Sequence, residues 1–163
     1  MNIRLETATA SDAPAILAMQ KAAFLPLLEK YQDHGTNPAN ETLERVLGRI
    51  NNPGSCFYKI LAEEKMVGAI RIRWYEDGRF WVSPLFVDPS HQGRGIAGEA
   101  MRLTEIQHRE AITWELATIL EEEENCRFYE KLGYRETGVI EQLNNRATLG
   151  YFIKEKRKMT KKD

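Results

Sequence analysis

A glycine-rich turn is the segment of this sequence whose residue types best suit a ligand. Gln92-Gly93-Arg94-Gly95-Ile96-Ala97 follows an alternating, strand-like segment and precedes a segment with helical spacing. The first N–H groups of a helix have no partner within it and lie at its partially positive end, so they bind phosphate oxygens. Glycines let such a ligand approach the backbone closely. The pattern predicts a phosphate-binding turn, with added contacts from the Gln92 and Arg94 side chains.

The same glycines also fit the fingerprint of dinucleotide-binding domains, G-x-G-x-x-G. Gly93, Gly95 and Gly98 occupy its three positions, and Glu115 lies where the ribose-binding acid is expected. In a Rossmann domain this fingerprint opens the fold, whereas here three hairpin-linked strands come first. Pro89 also lengthens the turn, and too few residues follow Glu115 for a second βαβ half. NAD binding and a turn without any ligand remain the alternatives.

The elements that must hold this turn follow from periodicity and turn residues. Asp77-Gly78 tolerates positive φ and predicts a tight hairpin, and Gly133 predicts a left-handed helix end. Ser11-Asp12, with Pro14 after it, begins a first helix that ends before a loop at 31–40. Strands are predicted at 3–7, 56–62, 66–75, 79–87, 112–120, 137–140 and 148–153, and further helices at 41–50, 95–108 and 125–132. The order β-α-α-β-β-β-α-β-α-β-β predicts an α+β (α/β) fold around a mixed sheet.

Length and charge restrict the class of protein. A chain of 163 residues with net charge −1 suits one domain and gives no general affinity for nucleic acid. No apolar run could span a bilayer and no signal peptide is visible, so we expect a cytoplasmic protein without a membrane partner. Cys56 and Cys126 are expected as free thiols, and the three histidines lack metal-ligand spacing. The domain is predicted at 1–154, and the basic tail at 155–163 as a frayed end; a nucleic-acid arm would need an aromatic platform that the tail lacks.

Two motifs and the element order resemble the GCN5-related N-acetyltransferase (GNAT) family. Gln92, Gly95 and Ala97 match the family's coenzyme turn, which is Gln or Arg, two residues, Gly, one residue, and Gly or Ala. Val87 and Pro89 also stand where family members carry them. The segment 125–134 is similar to the family's Asn…Phe/Leu-Tyr-Glu-Lys-Leu-Gly-Phe/Tyr. The resemblance spans residues 2–154, with one departure: the Asn lies four residues before the Tyr, whereas many members have seven.

The resemblance implies acetyl-CoA as co-substrate and a mostly antiparallel sheet with helices on both faces. It places the pantetheine arm where the strand at 79–87 and the following parallel strand splay apart, and the pyrophosphate on the turn. A β-bulge near Ser83-Pro84 fits this plan, because Pro84 cannot donate to the ladder; the alternative is a simple strand edge. The implied coenzyme contacts are Phe86, Val87, Gln92, Gly93, Arg94, Gly95, Ile96, Ala97, Asn125 and Lys131.

The implied reaction is direct attack of a primary amine on the thioester within a ternary complex. The N–H of Val87 would stabilise the oxyanion, and the phenol of Tyr129 would protonate the departing sulfur. Each assignment has a structural alternative: Tyr129 as a packing partner of Tyr134 at the Gly133 helix end, and Asn125 as a helix N-cap. Lys131 and Arg94 are equally well explained as exposed side chains.

The acceptor amine is not identified by the sequence. By the family's topology Phe24, Tyr31, Asp33 and His34 would lie near its rim, with Asp33 either attracting a cation or capping its own loop. Glu115 and Glu76 are candidate general bases, and Ser83 is a candidate to position a water molecule. No metal site is expected. A non-catalytic acyl-CoA-binding or interaction module on the same fold is the alternative function, and the chain could be a monomer or a homodimer.

Overall fold

Four helices and seven strands make up the fold in this computed structural model, which describes residues 1–156. The helices are α1 (Ala13–Tyr31), α2 (Leu43–Asn51), α3 (Ile96–Gln107) and α4 (Glu123–Lys131). The strands are β1 (Ile3–Thr7), β2 (Ser55–Ala62), β3 (Lys65–Trp74), β4 (Arg79–Val87), β5 (Thr113–Ile119), β6 (Arg135–Gln142) and β7 (Thr148–Glu155). The predicted order of elements and the α+β class are confirmed.

The strands form one mixed sheet in the order β1-β2-β3-β4-β5-β7-β6. Every neighbouring pair is antiparallel except β4 and β5, which are parallel. The parallel pairing covers only Arg79–Trp81 against Thr113–Glu115, after which the two strands part. The sheet is therefore continuous at one end of β4 and open at the other.

A β-bulge interrupts β4, as predicted. Ile70 on β3 pairs with Leu85, but Ile72 pairs with Val82, so β4 carries one extra residue at Ser83-Pro84. The peptide bond between Ser83 and Pro84 is cis. An extra residue shifts the alternation of side chains, so residues before and after the bulge face differently from a regular strand.

The sheet has a hydrophobic cluster on each face. α3 covers one face, where Phe80, Val82, Trp114 and Phe152 pack with Ile96 and Met101. α1 and α2 cover the other face, where Phe57, Ala69 and Phe86 pack with Ile16 and Val46. A smaller cluster joins Tyr31 of α1 to Ile119 at the end of β5 and to Ala147. The helices on both faces thus leave the middle of β5 less covered on the α1/α2 face.

Several boundaries differ from the predicted ones, because backbone hydrogen bonds extend these elements beyond the residues that the sequence pattern indicates. α1 runs to Tyr31, where the predicted loop was to begin, and Pro38–Asn40 forms a short 3-10 turn within that loop. β7 reaches Glu155, and the N–H of Lys156 donates to the carbonyl of Ile112 at 2.9 Å. The first two residues of the predicted frayed tail are therefore tied to the fold, and the remainder of that tail lies outside the described residues.

Within residues 1–156, none of the helices is long and apolar enough to cross a membrane.

Candidate functional site

The candidate site is the cleft that opens where β4 and β5 separate. The last paired residues are Trp81 and Glu115, and beyond them the second half of β4 has no strand on its β5 side. The first turn of α3 follows β4 after a turn at 88–95. Backbone groups on that side of β4 must find another partner or face solvent.

The ladder between β3 and β4 determines which backbone groups point into the cleft. The N–H of Asp88 donates to the carbonyl of Val67 at 2.7 Å, so these two residues form a hydrogen-bonded pair. In an antiparallel ladder such pairs alternate with non-hydrogen-bonded ones. Gly68 and Val87, the next pair, are therefore non-hydrogen-bonded with each other. The N–H and C=O of Val87 point away from β3, towards the cleft.

The same alternation separates Phe86 from Leu85. The Phe86–Ala69 pair is hydrogen-bonded by this alternation, so the backbone of Phe86 faces β3, and its side chain packs on Phe24 with ring centroids 6.0 Å apart. A Cβ on Gly68 would lie 2.3 Å from the carbonyl oxygen of Phe86, which confirms how closely that oxygen approaches β3. Leu85, two residues before Val87, directs its own N–H and C=O to the cleft. Sequence reasoning missed Leu85, which the bulge and the register together identify.

The glycine-rich turn has an open backbone surface. Gly93 and Gly95 both have a φ of +79°, and a Cβ added at either position would meet nothing within 4 Å. Gly95 is the N-cap residue of α3, and no side chain caps the helix. Ile96 is buried in the core and anchors the first turn, while residues 92–95 are exposed. The first N–H groups of α3 therefore remain available to an anion.

Gln92 is used inside the turn. Its side-chain Nε2 donates to the carbonyl of Val87 at 3.0 Å, which closes the loop between β4 and α3. The amide thereby occupies the outward carbonyl of Val87 and leaves the Val87 N–H as the free group. Arg94 and Lys131 are both exposed and make no hydrogen bond or ion pair with the residues that the structure describes.

Tyr129 belongs to the helix end that its spacing predicted. The N–H of Tyr134 donates to the carbonyl of Tyr129 at 3.0 Å, and the N–H of Gly133 donates to that of Glu130 at 3.0 Å. With Gly133 at φ +101°, these bonds form a Schellman motif. The Tyr129 side chain is half-buried, and desolvation by its surroundings raises the pKa of the phenol to about 12. Its hydroxyl makes no hydrogen bond within residues 1–156.

Asn125 is not the N-cap of α4, which corrects one predicted alternative. The helix begins at Glu123 with Glu122 as the N-cap residue, so Asn125 is the third helical residue. Glu122 accepts hydrogen bonds from the Tyr31 hydroxyl and from Lys30, the latter at 2.9 Å, and this ties α1 to the start of α4. The Asn125 side chain, freed from capping, has no hydrogen-bond partner in the described chain.

A row of half-buried residues lines the α1/α2 face of the cleft. The strand registers place the side chains of Trp81, Glu115 and Tyr151 on this face, opposite the α3 core. The rings of Trp81 and Tyr151 lie 6.0 Å apart. Ser83 lies at the bulge, two residues after Trp81, and is half-buried. This face brings the predicted base Glu115 and the predicted water ligand Ser83 to the same opening.

The residues predicted for the acceptor rim have other principal contacts. Phe24 packs on Phe86, and Tyr31 is buried with its hydroxyl on Glu122. Asp33 is buried and accepts from the side chains of Thr36 at 3.1 Å and Asn37 at 3.4 Å, so it caps its own loop. His34 is exposed and contacts Gln32. Glu76 lies on the β3–β4 hairpin, away from the opening.

Two surface cavities lie away from the cleft. One of about 640 Å³ runs between α3 and β7, and one of about 510 Å³ surrounds the β3–β4 hairpin. Neither is lined by Val87 or by the glycine-rich turn. Cys56 and Cys126 are both free thiols, as predicted, and residues 1–156 contain no cluster of three potential metal ligands.

Comparison with known proteins places this geometry in a family. The sequence pattern described as "Acetyltransferase (GNAT) family" matches residues 18–134. The chain is 30% identical over 129 residues to the uncharacterized protein YrkN of Bacillus subtilis (strain 168), covering 77% of this chain and 68% of that protein. It is also 30% identical over 97 residues to N-acetylaspartate synthetase of Xenopus tropicalis, covering 56% of this chain and only 35% of that protein.

Solved structures share the fold at low sequence identity. An acetyltransferase from Salmonella typhimurium that modifies the N-terminal serine of ribosomal protein L7/L12 superposes with a TM-score of 0.75 at 17% identity, over 96% of both chains. The PaiA N-acetyltransferase of Thermoplasma acidophilum, in complex with coenzyme A, superposes with a TM-score of 0.67 at 12% identity, over 96% of this chain and all of that one. With the family pattern matched over more than two thirds of its length, the chain belongs to the acetyltransferase (GNAT) family.

Proposed function

We propose that this protein transfers an acetyl group from acetyl-CoA to a primary amine, by direct attack within a ternary complex. The observation that carries the proposal is the outward N–H of Val87, in a stretch of β4 that has lost its β5 neighbour. A ligand with amide groups of its own can satisfy such a strand as a missing neighbour would. The pantetheine arm of coenzyme A carries two amides and ends in the reacting sulfur.

The coenzyme extends from the glycine-rich turn along β4. The N–H groups at the start of α3 bind the pyrophosphate, with Gly93, Gly95, Ile96 and Ala97 supplying backbone and Arg94 supplying charge. Pantetheine then lies along the outward edge of β4, where Leu85 offers its N–H and C=O, while Phe86 supports the strand from the core. Gln92 acts through its bond to the Val87 carbonyl. Asn125 and Lys131 reach the coenzyme from α4, where both side chains lack other partners.

The chemistry needs three groups around the thioester. As the amine nitrogen bonds to the carbonyl carbon, the carbonyl oxygen becomes an oxyanion that accepts from the Val87 N–H. Collapse of this intermediate breaks the C–S bond, and the phenol of Tyr129 donates its proton to the departing sulfur. Glu115, or a water held by Ser83, takes the proton that the amine loses. Solvent then carries a proton from the base to the Tyr129 phenolate, which returns both groups to their starting states.

Acceptors of several sizes fit a family whose members use this reaction. The matched relatives include a synthetase named for an acetylated amino acid and an enzyme that modifies a ribosomal protein's N-terminal serine. A small amine or a peptide N-terminus can enter from the half-buried face around Trp81 and Tyr151. The acceptor is therefore chosen by side chains of that face rather than by the coenzyme turn.

A coupled assay tests the proposal. The purified protein is incubated with acetyl-CoA and a panel of amines, and thiol release and acetylated product are both measured. We expect release of one thiol for each acetylated product. Acetyl-CoA should raise the melting temperature at sub-millimolar concentration, whereas NAD should not. Coenzyme binding with no product from any amine would support a non-catalytic acyl-CoA-binding module instead, and a shift with NAD alone would overturn the assignment.

A further inference from the structure

Arg71 is a buried cation without an adequate partner. Its residue is 7% exposed, and its Nε has no hydrogen-bond partner within residues 1–156. The one hydrogen bond it makes is long, from Nη1 to the carbonyl of Ser83 at 3.4 Å. Arginine carries five N–H donors and stays charged at physiological pH, so most of its hydrogen-bonding capacity is unused here.

The surroundings of Arg71 add positive charge rather than cancel it. Arg49 is the charged neighbour that repels Arg71 most strongly, and its Nη1 donates to Glu41 at 2.8 Å. Glu41 Oε1 also accepts from Gln20 at 3.0 Å, and its Oε2, which has no hydrogen-bond partner within residues 1–156, forms an ion pair with Arg45 at 3.2 Å. Burial, followed by repulsion from Arg49, lowers the pKa of the Arg71 guanidinium to about 10. The two ion pairs of Glu41 are thus with Arg45 and Arg49, and Arg71 forms no ion pair within residues 1–156.

An uncompensated buried charge is costly, because it loses hydration without gaining a counter-ion. Protein stability alone gives no reason to hold such a group, since an apolar residue of similar length would pack there without that cost. The position of Arg71 in the fold suggests a functional reason for keeping it. Arg71 stands on β3 opposite the bulge, where Ile70 pairs with Leu85 and Ile72 with Val82.

The bulge lies beside the proposed reaction centre. Ser83, whose carbonyl Arg71 contacts, precedes Leu85 by two residues, and Leu85 is the cleft-facing residue next to Val87. Arg71 shares its sheet face with Phe57, on the side of the sheet covered by α1 and α2, which is also the face of Trp81 and Glu115. Arg71 thus lies next to the bulge that precedes the cleft-facing residues Leu85 and Val87.

We propose that Arg71 binds a carboxylate of the acceptor, so that the preferred substrates are small amines of the amino-acid type, with a carboxylate near the amino group. This deepens the proposed acetyl transfer and rests on it. Nη2 of Arg71 has no hydrogen-bond partner in the described chain and Nη1 has only the long bond to Ser83, so the two Nη groups can take both oxygens of a carboxylate at once. The substrate would then supply the counter-ion that the free protein lacks, and its binding would orient the amine towards the carbonyl carbon.

Matched amines test this assignment. Each α-amino acid is compared with its α-carboxamide and with the corresponding decarboxylated amine, under saturating acetyl-CoA. We expect kcat/KM for the best carboxylate-bearing amine to exceed that for both of its analogues by about 30-fold or more, the scale of a hydrogen-bonded charge pair. Arg71→Met should abolish that preference mainly through KM, and leave the rates with the two analogues within about two-fold.

Two further variants separate recognition from folding. Arg73→Met removes an exposed arginine from the same strand and should keep the full preference. Arg71→Lys keeps a charge but not the fork, and should lose most of the preference even if Arg71→Met does not fold. Arg71→Met should melt no lower than the wild type, because an unpaired charge has been removed.

The two levels of the proposal can fail separately. Equal acetylation of all three members of each amine set, or an unchanged preference in the Arg71 variants, would overturn the role of Arg71 and leave acetyl transfer standing. Absence of acetyl transfer to any amine would instead overturn the proposed function itself.

Discussion

The N–H of Tyr134 donates to the carbonyl of Tyr129 at 3.0 Å, and the two rings meet edge to face with centroids 6.0 Å apart. Backbone bonds around Gly133 and ring packing therefore fix the position of Tyr129, and its hydroxyl takes no part. A residue held in this way can lose its hydroxyl without losing its place. Tyr129 thus satisfies both interpretations of its sequence position, the helix end and the proton donor, because they use different atoms.

Replacing Tyr129 by Phe tests its hydroxyl alone. If the phenol protonates the sulfur, kcat should fall by roughly 10- to 1000-fold, the range of general-acid catalysis and somewhat below it. Affinity for acetyl-CoA should change little, because the bond strengthens only as charge develops on sulfur. Steady-state kinetics and calorimetry measure both quantities. Tyr134→Phe is the control: it removes a buried hydroxyl that has no partner, and should leave kcat and stability unchanged or stability slightly raised. Wild-type turnover in Tyr129→Phe would leave only the packing role.

The pH profile should have no alkaline limb from this tyrosine below about pH 11. An ordinary phenol would ionise near pH 10 and stop donating. Burial raises the pKa of Tyr129 to about 12, so the donating, protonated form persists over the whole range in which the amine becomes neutral. We therefore expect kcat to rise with pH to the pKa of the acceptor and then stay level to pH 10. A decline between pH 9 and 10 in the wild type, absent from Tyr129→Phe, would show that the phenol is less buried than the geometry indicates.

Ala97→Glu should abolish coenzyme binding and spare the fold. Ala97 lies in the first turn of α3 and is half-buried at the edge of the core on the α3 face of the sheet. The introduced carboxylate would occupy the N–H groups proposed for the pyrophosphate and repel the phosphates. Titration calorimetry with acetyl-CoA measures the loss, and circular dichroism checks the fold. Unchanged affinity would place the pyrophosphate elsewhere.

Gly68→Ala should weaken both stability and coenzyme binding. The new Cβ would lie 2.3 Å from the carbonyl oxygen of Phe86, a backbone atom that cannot move without shifting β4. We expect a loss of about 1–3 kcal/mol in the free energy of unfolding, the usual cost of overpacking, together with weaker acetyl-CoA binding. Gly48→Ala serves as the control, because its Cβ meets nothing within 4 Å in α2. That variant should gain up to about 1 kcal/mol and bind acetyl-CoA normally.

Local rules predicted the elements and the frame of the site well. The hairpin at Asp77-Gly78, the bulge at Ser83-Pro84, the open turn at Gly93 and Gly95 and the Schellman end at Gly133 all depend on residues within one turn of each other. Glycine and proline fix such geometry through their own backbone preferences. The sequence therefore contains these features in full, without reference to the rest of the chain.

What the sequence did not reveal depends on contacts between distant segments. Whether Phe86 or Leu85 faces the cleft is decided by the register of β4 against β3, which the bulge resets. The side chain of Gln92 turns inward to the Val87 carbonyl, and Asn125 lies inside α4 because that helix begins two residues earlier than predicted. In the sequence Arg71 looks like any other arginine on a strand. Its burial and the absence of a partner for its Nε within residues 1–156 are visible only in the structure.

The seven-stranded sheet consists of two extensively paired parts joined by one short parallel pairing. One part contains β1 to β4 and the other contains β5, β6 and β7. They are connected by the pairing of Arg79–Trp81 with Thr113–Glu115. On the α3 face the rings of Phe80 and Trp114 pack across this pairing with centroids 5.0 Å apart. On the other face Trp81 and Glu115 are only half-buried. The angle between these two parts is easier to change than the shape of either part, because fewer hydrogen bonds connect β4 to β5 than connect the strands within each part.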